Sequence, residues 1–243
     1  MIINCVHGGW HKVKDLLSEI ESYWTTRAEG YSEVNHKELN GMQKGAWLEV
    51  LKGQFPEKAK DEIKILDIGT GPGFFPVILA EAGYKVTAVD YTQEMLDTAK
   101  RNAGNLCERI SFYKMDAQNL EFEDDVFDVV ISRNLTWNLK DPKRAYEEWC
   151  RVLKPGGHLV ILELTTPDRF PMKQLFSIYS KAVIPLLGKL LSKDNNAYRY
   201  LPDTIKVFPQ GEIMKGVISR AGFSEVNFRR LTFGICTLYT ATK

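Results

Sequence analysis

The feature that most constrains this chain is the regular alternation of strand-like and helix-like segments from residue 63 onward. Short apolar runs with the composition of buried strands lie at residues 63–68, 85–90, 110–114, 127–132 and 158–164. Helical segments at residues 75–82, 92–103 and 142–153 lie between strands. Because a strand–helix–strand unit returns by a right-handed crossover, this pattern predicts an α/β fold with a doubly wound parallel sheet.

The C-terminal segment departs from this alternation. After a helix at residues 211–221, two apolar runs at residues 225–231 and 235–241 lie too close together for a crossover. That spacing permits only antiparallel pairing. Residues 154–157 (KPGG) are predicted to form a turn before the fifth strand.

A single domain is predicted, because no linker is visible. Helices near residues 12–24 and 37–52 are expected to lie over the sheet, and an apolar helical stretch at residues 175–191 lies within an insertion. The predicted parts are a helical cap (1–60), a ligand-binding core (61–164), a substrate-lid insertion (165–209), and a last helix with antiparallel strands (210–243).

Charge and cysteine content exclude several classes of protein. The 32 Lys and Arg against 31 Asp and Glu leave a net charge of +1, which argues against nucleic-acid binding through bulk electrostatics. The four scattered cysteines have neither disulfide nor metal-ligand spacing, so they indicate reduced thiols. With neither a secretory signal nor an 18-residue apolar window, we expect a cytoplasmic protein without a membrane span.

The most informative motif is the run from Leu66 to Gly73 (LDIGTGPG), in which a strand leads through three alternating glycines into a helix. Glycines at such a turn allow positive φ and a close approach of the backbone to a ligand, although a tight connection alone has the same composition. Asp90 ends the second strand, where its carboxylate can accept both hydroxyls of a ribose. Asp116 and Ala117 follow the third strand, where they can meet an adenine edge.

Two ligand classes fit such a loop, and the residues favour one of them. A dinucleotide fingerprint needs a third glycine at position 74, where this chain has Phe74. Asp67, directly before the loop, suits the cationic amino-acid part of S-adenosylmethionine better than a pyrophosphate. The sequence therefore predicts S-adenosylmethionine as cofactor and S-adenosylhomocysteine as product.

Residues 63–163 resemble the class I S-adenosylmethionine-dependent methyltransferases. The motifs that carry the resemblance are ILDIGTGPGFF, KVTAVDYTQEML, ISFYKMDAQNLEFEDDVFDVVISRN and RVLKPGGHLVILE. The resemblance implies a Rossmann-like seven-stranded sheet with an antiparallel last strand. It also implies that Asp67, Gly69, Thr70 and Gly71 line the methionine part, Asp90 the ribose, Tyr91 and Met95 the adenine faces, Asp116 and Ala117 its amino edge, and Ser132 the sulfonium.

The two ends of the chain resemble different groups of methyltransferases. Residues 23–31 are similar to the start of broad (type 11) small-molecule methyltransferases, which implies that Tyr23, Arg27 and Tyr31 close over the cofactor. Residues 133–136 and tail segments between 186 and 235 resemble the menaquinone/ubiquinone biosynthesis C-methyltransferases, although the YDxMN-type start of that family is not evident. The resemblance implies methylation of a ring carbon of a demethylated menaquinol- or ubiquinol-type quinol. Another small-molecule acceptor and an inactive cofactor-binding module remain alternatives.

Arg133 and Asn134 are the candidate catalytic residues. Arg133 can stabilise a developing phenolate, directly or through a water molecule, or it can simply be an ion-paired residue at a strand end. Tyr198, Arg199 and Tyr200 either line the acceptor pocket or pack the insertion onto the sheet.

The apolar segment 175–191 is either a core helix and pocket wall or a lid that touches a membrane surface when an isoprenoid quinol binds. No metal is expected, because His7 and His11 have no carboxylate partner, and His158 is expected to be structural. The predicted assembly is a monomer or a homodimer.

Overall fold

A computed structural model describes residues 16–179 and 208–243, and the strands of these residues form one mixed sheet. The strands are β1 (Ile65–Ile68), β2 (Val86–Asp90), β3 (Ile110–Lys114), β4 (Phe127–Arg133), β5 (Leu153–Leu164), β6 (Ser224–Leu231) and β7 (Cys236–Thr242). The helices are α1 (Leu16–Leu39), α2 (Gln43–Lys52), α3 (Phe74–Glu81), α4 (Gln93–Ala103), α5 (Pro142–Val152), α6 (Met172–Ile178) and α7 (Glu212–Arg220).

The strand order confirms the doubly wound topology with an antiparallel last strand. The order across the described sheet is β3-β2-β1-β4-β5-β7-β6. Strands β1 to β5 pair in parallel, whereas β7 runs antiparallel to both β5 and β6. The chain order reverses between β1 and β4, so the carboxyl ends of these strands form the crevice in which open α/β sheets bind ligands.

Helices cover both faces of the central strands, so β1 and β4 are almost entirely buried. All four residues of β1 are buried, and β4 is buried up to Arg133. On one face, Leu66 and Val130 pack with Tyr146 and Trp149 of α5. Strands buried on both faces are expected to be continuous apolar runs rather than alternating ones.

The N-terminal cap is present, but its helices differ from the prediction. One continuous helix, α1, spans the interval that was predicted to separate two helices at residues 12–24 and 37–52. The buried face of α1 consists of Ala28, Ser32 and Asn35, which have helical spacing. The prediction was wrong because two of these three residues are polar, so apolar periodicity does not reveal the face.

The predicted turn at residues 154–157 is part of β5 in the structure. Phe127 pairs with Leu153, and Val129 then pairs with His158, so the four intervening residues bulge out of the ladder. Gly156 has φ 74°, and its N–H donates to the carbonyl of Lys243 at 3.0 Å. The glycines therefore bend the strand without ending its pairing.

Several predictions fall outside the described residues: His7, His11, most of the apolar stretch 175–191, and Tyr198, Arg199 and Tyr200. Within the described residues, α6 forms the start of the insertion. No helix among the described residues has both the length and the apolar character needed to cross a membrane.

Candidate functional site

Two adjoining cavities form one groove at the carboxyl edge of the sheet. They share five lining residues, namely Tyr31, Gly69, Gly71, Arg133 and Asn134. The first cavity is also lined by Asn35, Glu38, Asp67 and Thr70. The second is also lined by Trp24, Asp90, Tyr91, Met95, Asp116 and Ala117. The structure thus brings most of the predicted site residues together around one groove.

The loop at residues 69–73 is anchored to the end of β2 through its own backbone donors. The N–H groups of Gly69 and Thr70 donate to the carbonyl of Val89 at 2.9 and 3.0 Å, and the Gly71 N–H donates to Asp90 Oδ2 at 2.8 Å. A pyrophosphate site needs such donors to be directed at the ligand. Since these three are used within the protein, the geometry agrees with the rejection of a dinucleotide.

Glycine is required in this loop for two different reasons. Gly69 (φ 71°) and Gly71 (φ 53°) both have left-handed backbone conformations, which residues with a Cβ atom rarely adopt. A Cβ atom on Gly69 would lie 2.8 Å from Leu135 Cδ2, so this position is tightly packed. No atom of the described residues lies within 4 Å of the corresponding position at Gly71, which faces the groove.

Asp90 is a half-buried hydrogen-bond acceptor at the end of β2. Its Oδ1 accepts from the Thr92 N–H at 2.9 Å and its Oδ2 from the Gly71 N–H, and the Thr92 side chain and the Tyr91 backbone also donate to the carboxylate. Burial raises the pKa of Asp90, and the hydrogen bonds from Thr92 and Gly71 oppose this shift. Asp116, which also lines the groove, orders its own loop by accepting from the Gln118 N–H at 2.9 Å.

Asp67 is 2% exposed and lines the first cavity. Burial raises its pKa to about 7, while the Thr70 hydroxyl lowers it, Asp90 raises it and Arg133 lowers it. A carboxyl group in this environment gains most from a ligand that brings positive charge.

Arg133 is an ion-paired residue at a strand end, which was one of the two interpretations that the sequence left open. It lines both cavities, and its guanidinium is paired with Glu38 of α1 at 2.9 and 2.7 Å in a bidentate geometry. The same guanidinium lies 4.8 Å from the ring centroid of Phe74. Paired and stacked groups of this kind hold a fixed orientation.

Asn134 follows Arg133 with a left-handed backbone (φ 55°). Its N–H donates to the Leu162 carbonyl at 2.9 Å, and its side chain is hydrogen-bonded to Tyr31. Although Tyr31 is 40% exposed, desolvation raises the pKa of its hydroxyl, and Arg133 opposes this shift. The two residues link β4 to α1 at the edge of the groove.

Three predicted residues do not line either cavity. Ser132 is fully buried, and its hydroxyl donates to the Ile68 carbonyl at 3.0 Å, which joins β4 to β1. Tyr23 and Arg27 lie one turn apart on α1, with the guanidinium 4.8 Å from the ring centroid. Trp24, the residue after Tyr23, lines the groove instead.

Glu163 is a functional candidate that the sequence analysis missed. It is fully buried at the end of β5, and its Oε1 accepts from the N–H groups of Leu135 and Thr136 at 3.0 and 2.8 Å and from the Thr136 hydroxyl at 2.8 Å. Burial raises its pKa to about 7, although these hydrogen bonds lower it. It therefore fixes the segment that follows Asn134. An acidic residue within the apolar run HLVILEL was the available signal.

Asn35 and Glu38 were also missed. They lie on the same face of α1 as Tyr31, four and seven residues after it, and all three line the first cavity. The available signal was the helical spacing of these residues. It indicates a shared face only if residues 31–38 belong to one continuous helix.

Comparison with known proteins places these features in a family. The model of the ubiE/COQ5 methyltransferase family matches residues 28–243, so the match begins within α1 and continues to the end of β7. A demethylmenaquinone methyltransferase of Bacteroides fragilis is 47% identical over 229 residues, which cover 93% of this chain and 92% of that protein. The ubiquinone/menaquinone biosynthesis C-methyltransferase UbiE of Vibrio vulnificus is 33% identical, covering 74% of this chain and 71% of that protein.

Solved structures share the fold at low sequence identity. An S-adenosylmethionine-dependent methyltransferase from Aquifex aeolicus superposes with a TM-score of 0.62 at 20% identity, covering 90% of this chain and 97% of that one. Phosphoethanolamine N-methyltransferase 2 of Haemonchus contortus, in complex with S-adenosylmethionine, superposes with a TM-score of 0.67 at 18% identity, covering 96% of this chain and 60% of that one. At this level of identity, the comparison supports the fold alone.

The buried Glu163 makes the stability of the protein depend on pH. Because its pKa is raised from 4.5 to about 7 in the folded protein, the fold binds the proton more tightly than the unfolded chain does. Its contribution to stability is therefore lost as pH rises toward and through 7. Glu163→Gln keeps the accepting oxygen but cannot ionise. Between pH 6 and 8.5, wild type should lose about 1–1.5 kcal/mol of unfolding free energy that Glu163→Gln does not lose, so the difference between the two proteins changes by that amount.

Urea unfolding at several pH values measures this difference. Glu148→Gln is the matched control, because hydrogen bonding to Arg151 lowers the pKa of Glu148 and that variant should not change the slope between pH 6 and 8.5. Parallel stability curves for wild type and Glu163→Gln would show that Glu163 does not titrate in this range.

Proposed function

The chain belongs to the ubiE/COQ5 methyltransferase family and is an S-adenosylmethionine-dependent methyltransferase; from this premise we propose that it methylates a ring carbon of a demethylated menaquinol-type quinol. The observation that carries the proposal is the similarity, over nearly the whole chain, to the demethylmenaquinone methyltransferase of Bacteroides fragilis. The relatives that supply the substrate class include a C-methyltransferase, which favours carbon over oxygen or nitrogen as the methylated atom.

The groove fits the cofactor. The open space at Gly71 admits a ligand against the backbone, and the buried Asp67 and the half-buried Asp90 lie on either side of the loop in sequence. S-adenosylmethionine supplies a methyl group that is already activated on a sulfonium. We assign its amino-acid part to Asp67, Gly69, Thr70 and Gly71, its ribose to Asp90, and its adenine to Tyr91, Met95, Asp116 and Ala117.

The residues of the chain act mainly by orienting the acceptor and stabilising its negative charge. A quinol becomes nucleophilic at its ring carbon when a phenolic proton leaves to water. After the methyl group has been added, the proton on that carbon leaves and the aromatic ring is restored. Arg133 lines both cavities, so its guanidinium can stabilise the phenolate oxygen, and Glu38 holds it in place. Asn134 and Tyr31 complete this edge of the groove.

Transfer of labelled methyl groups tests the proposed substrate. We expect purified protein, methyl-labelled S-adenosylmethionine and chemically reduced demethylmenaquinone to give label in a lipid that co-migrates with menaquinone. Gly71→Val, which places a side chain in the open part of the groove, is the matched negative control. Wild-type protein that binds S-adenosylhomocysteine but leaves the lipid unlabelled would contradict the quinone assignment, and label in another acceptor would identify the alternative.

Arg133 gives a prediction about the chemical step. We expect Arg133→Ala to slow methyl transfer by about 10²-fold or more, the scale of a lost charge-stabilising group, while S-adenosylhomocysteine binding changes by less than about threefold. Arg133→Lys keeps the charge but not the bidentate geometry, so its rate of methyl transfer should lie between those of wild type and Arg133→Ala.

The double variant Arg133→Ala/Glu38→Gln separates this role from the loss of an ion pair. It should remain as slow as Arg133→Ala, because removing the unpaired Glu38 carboxylate does not restore a cation at the groove. An unaltered rate in Arg133→Ala would exclude Arg133 from the reaction.

We also propose that an apolar rim contacts a lipid surface when the quinol binds. The rim consists of Phe170, Leu175, Ile178 and Phe233, which are 81%, 55%, 62% and 81% exposed. The turn that carries Phe233 lies beside the start of the insertion, since a Cβ on Gly234 would be 3.3 Å from Pro167 Cα. Exposed apolar groups of this kind at one edge suit a membrane or lipid partner.

Vesicle sedimentation tests the apolar rim. We expect Phe170→Ser/Phe233→Ser to lower the partition coefficient onto phospholipid vesicles by about 10²-fold or more, because two buried Phe side chains at roughly 1.5–3 kcal/mol each contribute about 3–6 kcal/mol. Met42→Ser is the matched control, since Met42 is 96% exposed but lies between α1 and α2. Equal vesicle binding by the rim variant and wild type would contradict the proposal that the rim contacts a membrane. The assembly as monomer or homodimer stays a prediction.

A further inference from the structure

Asn35 of α1 lines the first cavity and carries a buried acceptor. The residue is 3% exposed, and its Nδ2 donates to the Pro72 carbonyl at 2.7 Å. Because a carbonyl oxygen only accepts, this contact fixes the orientation of the amide and leaves Oδ1 at the other end. That oxygen is buried, and no donor within residues 16–179 or 208–243 reaches it.

An unpartnered buried oxygen at a cavity wall indicates a ligand that brings a donor. Asn35 and Asp67 line the same cavity, so this wall combines an amide oxygen with a carboxyl group. Arg133 lines it as well, but its two terminal nitrogens donate to Glu38. The wall therefore offers acceptors to a group that carries several N–H donors and a positive charge.

We propose that Asn35, together with Asp67, binds the ammonium group of the amino-acid part of S-adenosylmethionine, an inference that rests on the proposed function. An ammonium has three donors and no acceptor, so it can satisfy the Asn35 Oδ1 and the Asp67 carboxylate at once. The raised pKa of Asp67 agrees with this role, because a bound cation stabilises its ionised form. Asn35 thereby makes α1 part of the cofactor site.

Ligands that differ only in the amino-acid part provide the first test. On wild-type protein, calorimetric titration should give about tenfold or weaker binding for the desamino analogue of S-adenosylhomocysteine than for S-adenosylhomocysteine itself. Equal affinity of these two ligands would overturn the proposal. Failure of wild type to bind S-adenosylhomocysteine at all would instead overturn the proposed function, so the two failures are distinguishable.

The variant Asn35→Ala provides the second test. We expect its affinity for S-adenosylhomocysteine to fall about tenfold more than its affinity for 5′-methylthioadenosine, which lacks the amino-acid part. Loss of the hydrogen bond to Pro72 lowers both affinities, whereas loss of the Asn35 oxygen lowers only the first. The difference in affinity between S-adenosylhomocysteine and its desamino analogue should be smaller in this variant than in wild type. An equal loss for both S-adenosylhomocysteine and 5′-methylthioadenosine would mean that Asn35 only anchors the loop, which contradicts the proposal.

Asn102→Ala is the matched control. Asn102 Nδ2 donates to the same Pro72 carbonyl at 2.8 Å, but its side chain is not part of the cavity wall. Its removal weakens the anchoring of the loop without removing the Asn35 oxygen. It should therefore affect S-adenosylhomocysteine and 5′-methylthioadenosine alike, and a selective loss for S-adenosylhomocysteine in this variant would contradict the assignment to Asn35.

Discussion

The site depends on the way in which the end of β2 holds the loop that follows β1. Val89 accepts two hydrogen bonds from the loop through its carbonyl, and Asp90 accepts a third through its carboxylate. These contacts stabilise the positive φ values of Gly69 and Gly71, and they leave the open side of the loop toward the groove. Asp90 therefore has two properties that cannot be separated: it orders the loop and it lines the groove. A substitution there changes both the shape of the groove and its chemistry.

Helix α1 completes the groove from the opposite side. It contributes an aromatic hydroxyl, an amide and a carboxylate through Tyr31, Asn35 and Glu38, whereas the sheet contributes the glycine loop and the buried acids. The helix is held in place by polar contacts, among them the hydrogen bond between Ser32 and Asn102. The position of α1 over the groove therefore depends on these contacts and on the ion pair between Glu38 and Arg133.

The sequence could predict the sheet well because its information is local. Each central strand is an apolar run bounded by glycine, proline or charged residues, so the predicted bounds of β2 and β4 differ from the observed ones by one residue. The loop residues were found for the same reason. What could not be predicted depends on tertiary contacts: the polar face of α1, and the burial of Glu163 by segments distant along the chain. The polar residues of α1 form no hydrophobic pattern, and the apolar run around Glu163 indicates a buried strand but not the partners of its carboxylate.

Asp67 also determines which charge the first cavity favours. Its pKa is raised to about 7 by burial, and the bidentate pair with Glu38 offsets part of the charge that Arg133 brings to the same cavity. A ligand with an ammonium and a sulfonium favours the ionised form of Asp67, so its binding near neutral pH is coupled to the release of a proton. Burial, which makes this carboxylate costly in the free protein, is therefore also the source of its selectivity for a cation.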